Sequence, residues 1–253
     1  MALCAAAGLW GITPSSALAQ TGNRIGDALL GSRGAPSQQA APVVARYVAG
    51  SNANFILDRS SPQIILLRFD NSPEVWVLRA RAAPMGDTVY INDLGVPVLR
   101  QTRLGGWTLY TSVRPDGLPA SLSGAAAPIQ PFAKIDMQGA RQRIAEANKR
   151  MAFAAQRPTE RGMGLDIPPV QGAANIALIV DTVSLVADAF ERTAKRSGGF
   201  ELLNKVDGVQ VVMADGPSSV LLKDGVLRVS VQPQEGVAGR PSSDRLIVAL
   251  SGR

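Results

Sequence analysis

Between Asn54 and Ser112 the chain repeats one pattern: a strand-length apolar run closed by turn residues. The runs are NFILD, QIILLRF, EVWVLR, DTVYI, VPVLRQT and WTLYTS. The punctuation is RSSP, DNSP, AAPMG, NDLG, RLGG and RPDG. Pro, Gly, Asn and Asp at such places stop a strand and reverse the chain. Connections this short cannot hold the crossover helix that parallel neighbours need, so the strands must pair antiparallel in chain order. In EVWVLR, Val75 and Val77 share one face and Trp76 and Leu78 the other. Both faces are apolar, so this strand is expected to be covered on both sides by some further layer.

The pattern then changes. Residues 113–134 are rich in Pro, Gly and Ala and read as a connecting loop. A helix is expected over about Asp136 to Gln156, where Met137, Ala140, Ile144, Ala147, Met151 and Ala154 form a narrow apolar seam. Arg157-Pro158 ends it, and residues 158–171 read as a loop. A second helix is expected over about Ala173 to Arg196. Its Asp181, Ser184, Asp188, Glu191 and Lys195 make one polar stripe opposite Ile176, Ile179, Val183, Val186 and Phe190. An Asp near the centre of a membrane span costs about 3 kcal/mol, so an amphipathic helix stopped by Gly198-Gly199 fits better than a span. A short helix at 200–205 follows. SVLLKDGVLRVSV then reads as a hairpin turning on Asp224-Gly225, preceded by the strand VQVVM. The tail GVAGRPSSDRLIVAL reads as a last helix with Ser242 or Ser243 as its N-cap, ending at Gly252.

The start of the chain reads as an address label. MALCAAAGLWGI is uncharged and far shorter than the roughly 20 apolar residues of a span. Pro14 follows, then Ala17-Leu18-Ala19 before Gln20, the small-residue spacing of a signal-peptide cut between Ala19 and Gln20. No basic residue precedes Arg24, which suggests a start placed too late. The expected organisation is residues 1–19 signal peptide, 20–42 flexible linker, 43–112 β-meander, 113–134 connecting loop, and 135–253 helical pair with C-terminal β-hairpin and helix. Residues 43–253 are expected to form one domain. The fold class is α+β: an antiparallel β-meander followed by a two-helix pair and a C-terminal β-hairpin/helix segment. The expected location is periplasmic or secreted.

Composition narrows the chemistry. The chain has no His and one Cys, Cys4, inside the expected leader. A mature chain from Gln20 then lacks imidazole and thiol, which excludes Ser-His-Asp and Cys-His catalysis, His-based zinc sites and disulfides. Neither ALIVDTVS (177–184) nor GDTVY (86–90) completes an aspartic-protease signature, because Val stands where the Gly must be. Asp70 and Glu74 bracket one turn and are the candidate pair for a paired-carboxylate hydrolase of cell-wall or other polysaccharide; Asp70-Asn71-Ser72-Pro73 is also an ordinary turn tetrapeptide, which accounts for them better. The formal net charge of +6 is spread out and aromatics are only 5% of residues. That disfavours nucleic acid, which calls for concentrated charge and stacking platforms. It accommodates an envelope protein or an anionic polymer as partner. The binding candidates are Arg68, Arg100, Arg103 and Trp107, since Arg and Trp dominate interface hot spots. Arg240, Ser242 and Ser243, at an expected helix N-terminus, form an anion candidate. No metal or cofactor is called for.

SPEVWVLR, MGDTVYINDLGVPVLRQTRLGGWTLYT and the later GRPSS resemble domain-of-unknown-function family 4908, an exported family of alphaproteobacteria, over roughly residues 43 to 250. The resemblance implies a bacterial, exported protein and carries over no catalytic or binding residues. Together these readings favour a non-catalytic periplasmic binding or envelope-associated protein, with the hydrolase as alternative.

Overall fold

A computed structural model of the protein describes residues 41–51, 53–160 and 162–252. The expected cleavage site at Ala19–Gln20 and the linker up to residue 40 lie outside the described residues. The fold is α+β, as the sequence indicates.

The meander closes on itself. Strands β1 (Val44–Ala49), β2 (Ala53–Asp58), β3 (Ile64–Phe69), β4 (Trp76–Ala82), β5 (Thr88–Ile91), β6 (Pro97–Gln101), β7 (Trp107–Leu109) and β8 (Leu118–Ala125) pair antiparallel in chain order. β8 then pairs with β1, for example Val48 with Ser121, to complete a barrel. β8 lies inside the segment 113–134 that reads as a connecting loop, so that expectation is corrected. Its sequence, LPASLSGA, has little intrinsic strand preference. It becomes a strand because β7 and β1 each offer it an unpaired backbone edge.

An eight-stranded barrel is just wide enough for side chains to fill, and aromatic rings fill this one. Tyr47 stacks on Phe55 with centroids 5.6 Å apart, and Trp107 stacks on Tyr90 at 5.6 Å. Leu57, Leu67, Leu78, Leu99 and Leu109 complete the interior. The two-sided burial expected of EVWVLR holds. Leu78 and Trp76 face the barrel interior, whereas Val75 and Val77 pack outside it with Ile56, Ile129, Val237 and Phe132.

The rest of the chain forms an α/β layer. Helix α1 (Met137–Ala154) starts at Asp136, whose side chain accepts from Gly139 N at 2.7 Å. It packs on α2 (Ala173–Ala194), the one described helix long and apolar enough to cross a membrane by length and composition. In this structure α2 is a core helix: Ile179, Val183, Val186 and Phe190 are all buried among α1, the second sheet and the last helix. The polar stripe of α2 is used in tertiary pairs. Arg150 of α1 donates to Glu191 Oε1 and Oε2 at 2.7 and 2.8 Å and also pairs with Asp188.

A short helix α3 (Gly199–Leu203) leads to the second sheet, ordered β11 (Ser219–Lys223), β12 (Val226–Val231), β10 (Gly208–Met213) and β9 (Gly164–Asp166). The β11–β12 hairpin turns on Asp224 and Gly225, both at positive φ (48° and 77°), as a two-residue turn of the mirror-image type requires. β9 lies in the stretch 158–171 that reads as a loop; it pairs parallel with β10, as does β12. The last helix, α4 (Ser243–Leu250), is capped by Ser242, whose side chain accepts from Arg245 N.

Candidate functional site

In a closed meander, alternate turns share an end. The β1–β2, β3–β4, β5–β6 and β7–β8 turns lie at one end of the barrel, and the β2–β3, β4–β5 and β6–β7 turns at the other. The sequence candidates divide between these ends.

At the first end the barrel meets α4. Glu74, just before β4, accepts from Ser243 N at 2.9 Å and from Ser243 Oγ at 2.6 Å, one oxygen for each. Asp93, in the β5–β6 turn, does the same for Ser242 N at 2.8 Å and Ser242 Oγ at 2.6 Å. The N-terminus of α4 is thus an anion site, since its free N–H groups and dipole favour negative charge, and its anions are two carboxylates of the same chain. Arg240 is buried beneath them, its side chain 2% exposed, paired with Asp181 of α2 and donating to Val75 O at 3.0 Å. Burial pushes the Glu74 carboxyl above its ordinary range, and the bonds from Ser243 and the nearby Arg240 charge offset this only in part. Burial raises Asp181 in the same way against the pull of Arg240. The cleft beside this joint, lined by Trp76, Arg79, Asp93, Arg240 and Ser242, holds about 40 Å³, space for a few waters.

Asp70 shares a loop with Glu74 but not its surroundings. It sits on the surface and pairs with Arg46, while both Glu74 oxygens face Ser243 in the buried joint. Arg68 lies near this end of β3, opposite Ile56 of β2.

The other end is built differently. Trp107 is inside the barrel, and the Arg59 guanidinium lies over its ring, 5.9 Å from the centroid, donating to Ala41 O at 2.9 Å and Pro42 O at 2.7 Å. Arg59 therefore closes this mouth with its charge held against aromatic rings. The same end carries Arg81 of β4 and Arg100 of β6, both opposite Val89 of β5, and Arg103 of the β6–β7 turn. Asp87 is buried and braces the rim: Oδ1 accepts from Arg103 N at 3.0 Å and Oδ2 from Arg100 Nε at 2.7 Å. These bonds, the Arg103 N–H first and Arg100 second, hold its carboxyl below the ordinary aspartate range. The side chains of Arg81 and Arg103 are exposed and have no ion-pair partner among the described residues. Asp58, at the end of β2, accepts from Ser60 N at 2.9 Å and from Ile129 N at 3.0 Å, which ties the chain after β8 to the barrel wall. Burial alone would raise its carboxyl; these bonds override that and lower it.

The structure thus brings Arg100 and Arg103 together, separates them from Arg68, and places Trp107 in the core. It joins Arg240, Ser242 and Ser243 to Glu74 and Asp93. Sequence reasoning did not single out Arg59, Arg81 or Asp93, and it weighed Asp87 only as the Asp of GDTVY. Asp93 carries only the signature of a turn, and its encounter with Ser242 spans 149 residues. Among the described residues no cluster of acidic side chains is placed to hold a metal ion.

No curated protein and no solved structure matches the chain. A family model does, over residues 25–250, nearly the whole of the described structure: its description is domain of unknown function, DUF4908, and the chain belongs to that family.

Proposed function

We propose that this is an exported, non-catalytic protein of the cell envelope, and that it binds an anionic partner through the Arg-lined end of the barrel. The observation that carries this reading is the division of charge. Arg81, Arg100 and Arg103 gather at one end, whose acidic residues Asp58 and Asp87 are buried and engaged. Unscreened cationic side chains on a braced rim attract anionic surfaces and speed association. Glu74, buried at the opposite end, is likewise taken by donors within the chain. That lends no support to the polysaccharide-hydrolase alternative with Asp70 and Glu74, which needs two carboxyl groups facing one bond. The expected cut between Ala19 and Gln20 supports export.

Two measurements test the proposal. N-terminal sequencing of protein recovered from cells should begin at Gln20; an intact Met1 would remove export. Purified chain should be retained by isolated cell envelopes in a salt-sensitive manner, and the double substitution Arg81→Ser/Arg103→Ser should release it. Unchanged retention in that variant would remove the Arg-lined end as the binding surface. Sugar release from peptidoglycan, abolished by Asp70→Asn, would restore the hydrolase.

A further inference from the structure

The Arg-lined end also carries two apolar tips. Met85, in the β4–β5 turn, is 87% exposed, and Leu104, in the β6–β7 turn, is 83% exposed. The two turns are neighbours. Arg103 N donates to Asp87, and the position a Cβ would take on Gly86 lies 3.2 Å from Arg103 Cδ. One buried carboxylate therefore holds the two turns side by side. Met85 is further set apart by its backbone, at φ 65° in the left-handed region. A long apolar side chain gains nothing from that conformation in a free turn, and residues held there cluster at functional sites.

We propose that this rim docks on the surface of an anionic phospholipid bilayer, with Met85 and Leu104 entering the interface and Arg81 and Arg103 contacting headgroup phosphates. The inference rests on the envelope-binding reading above and names its partner. Charge complementarity argues for lipid: exposed guanidinium groups flank the apolar tips, and no exposed carboxylate lies in the β2–β3, β4–β5 or β6–β7 turns. Shallow insertion of apolar side chains ringed by cations is how peripheral proteins hold an anionic membrane. Two apolar side chains among guanidinium groups make a far smaller apolar area than the continuous patch that a protein partner calls for.

The test places an environment-sensitive fluorophore on single cysteines of the mature chain from Gln20, which has no native cysteine. Met85→Cys and Leu104→Cys report on the rim. Val113→Cys, equally exposed at 83% but in the β7–β8 turn at the opposite end, is the control. With vesicles of phosphatidylglycerol and phosphatidylcholine, probes at 85 and 104 should brighten and shift to the blue, and the probe at 113 should not. Arg81→Ser/Arg103→Ser should weaken the apparent vesicle affinity by about 30-fold at low salt. Silent rim probes, an equal response at 113, or an equal response to pure phosphatidylcholine would each overturn the proposal. If the chain still binds whole envelopes through Arg81 and Arg103 but ignores protein-free vesicles, the envelope reading stands and lipid as its partner is wrong.

Discussion

Ser243 is wholly buried, and its N–H and hydroxyl both donate to Glu74. Glu74→Ala strands these two donors away from water, each loss being worth about 1–3 kcal/mol. Urea unfolding should show a destabilisation of about 2–4 kcal/mol; a loss no larger than that of an exposed Glu would show that water replaces the carboxylate. Glu74 also sets a pH dependence. Its folded carboxyl titrates above the ordinary value of 4.5 because burial disfavours its charge. The folded state therefore binds this proton more tightly than the unfolded chain. The associated stability is full below that ordinary value and lost as pH rises through the raised one. Glu74→Gln cannot lose that proton. Its stability relative to the native chain should improve as pH rises from about 4, and a difference that stays constant to pH 8 would refute this. At Arg240, truncation to Ala leaves Asp181 without its cation and should cost about 3–5 kcal/mol. The double change Asp181→Leu/Arg240→Met should recover much of that loss in the same unfolding experiment, since a buried pair is often replaceable by apolar packing.

Elements differ in how far local sequence specifies them. Strands β2 to β7 are legible because apolar runs and turn residues act within a few positions of each other. Helices α1 and α2 are legible from their periodic apolar faces. The strands β8 and β9 are not. LPASLSGA and GLD hold few of the β-branched and aromatic residues that favour strands; they are ordered by partners distant in sequence. The α2–α3 junction depends on a close approach. A Cβ on Gly199 would lie 2.0 Å from Thr193 O, at the end of a buried helix. Gly199→Ala must therefore shift backbone, and a loss of about 2 kcal/mol or more is expected in thermal or urea unfolding. A variant as stable as the native chain would mean that this turn is softer than its contacts imply.

At the scale of the molecule, barrel and α/β layer share a joint made by Asp58–Ile129, Glu74–Ser243, Asp93–Ser242 and Arg240–Val75, with Ile56, Val75 and Val237 packed between. These contacts span most of the chain and should make residues 41–252 unfold as one cooperative unit. Calorimetry should show a single transition with equal calorimetric and van't Hoff enthalpies. Glu74→Ala/Asp93→Ala, which removes both anions from the α4 N-terminus, should split that transition in two; a single transition in the variant would show that apolar packing alone couples the layers. The joint leaves the opposite end of the barrel uncovered by α4, which is where Arg81, Arg103, Met85 and Leu104 present the rim.

The sequence by itself determined the fold class, the antiparallel order of the meander, the two helices, the Asp-Gly hairpin and the family. Each rests on interactions within a few residues, or on motifs that survive as text. It also excluded thiol and imidazole chemistry from residue 20 onward, since composition needs no coordinates. Only the tertiary structure decided that the meander closes, that α2 is a core helix with its acids paired, and that the anion at the GRPSS helix start is supplied by Glu74 and Asp93. It likewise separated Trp107 from Arg103 and set the turn that carries Met85 beside the turn that carries Leu104. The physical reason is common to all of these. Hydrogen bonds and ion pairs between distant segments depend on which faces the closed barrel turns inward and which ends it shares, and neither is encoded in any local run of residues.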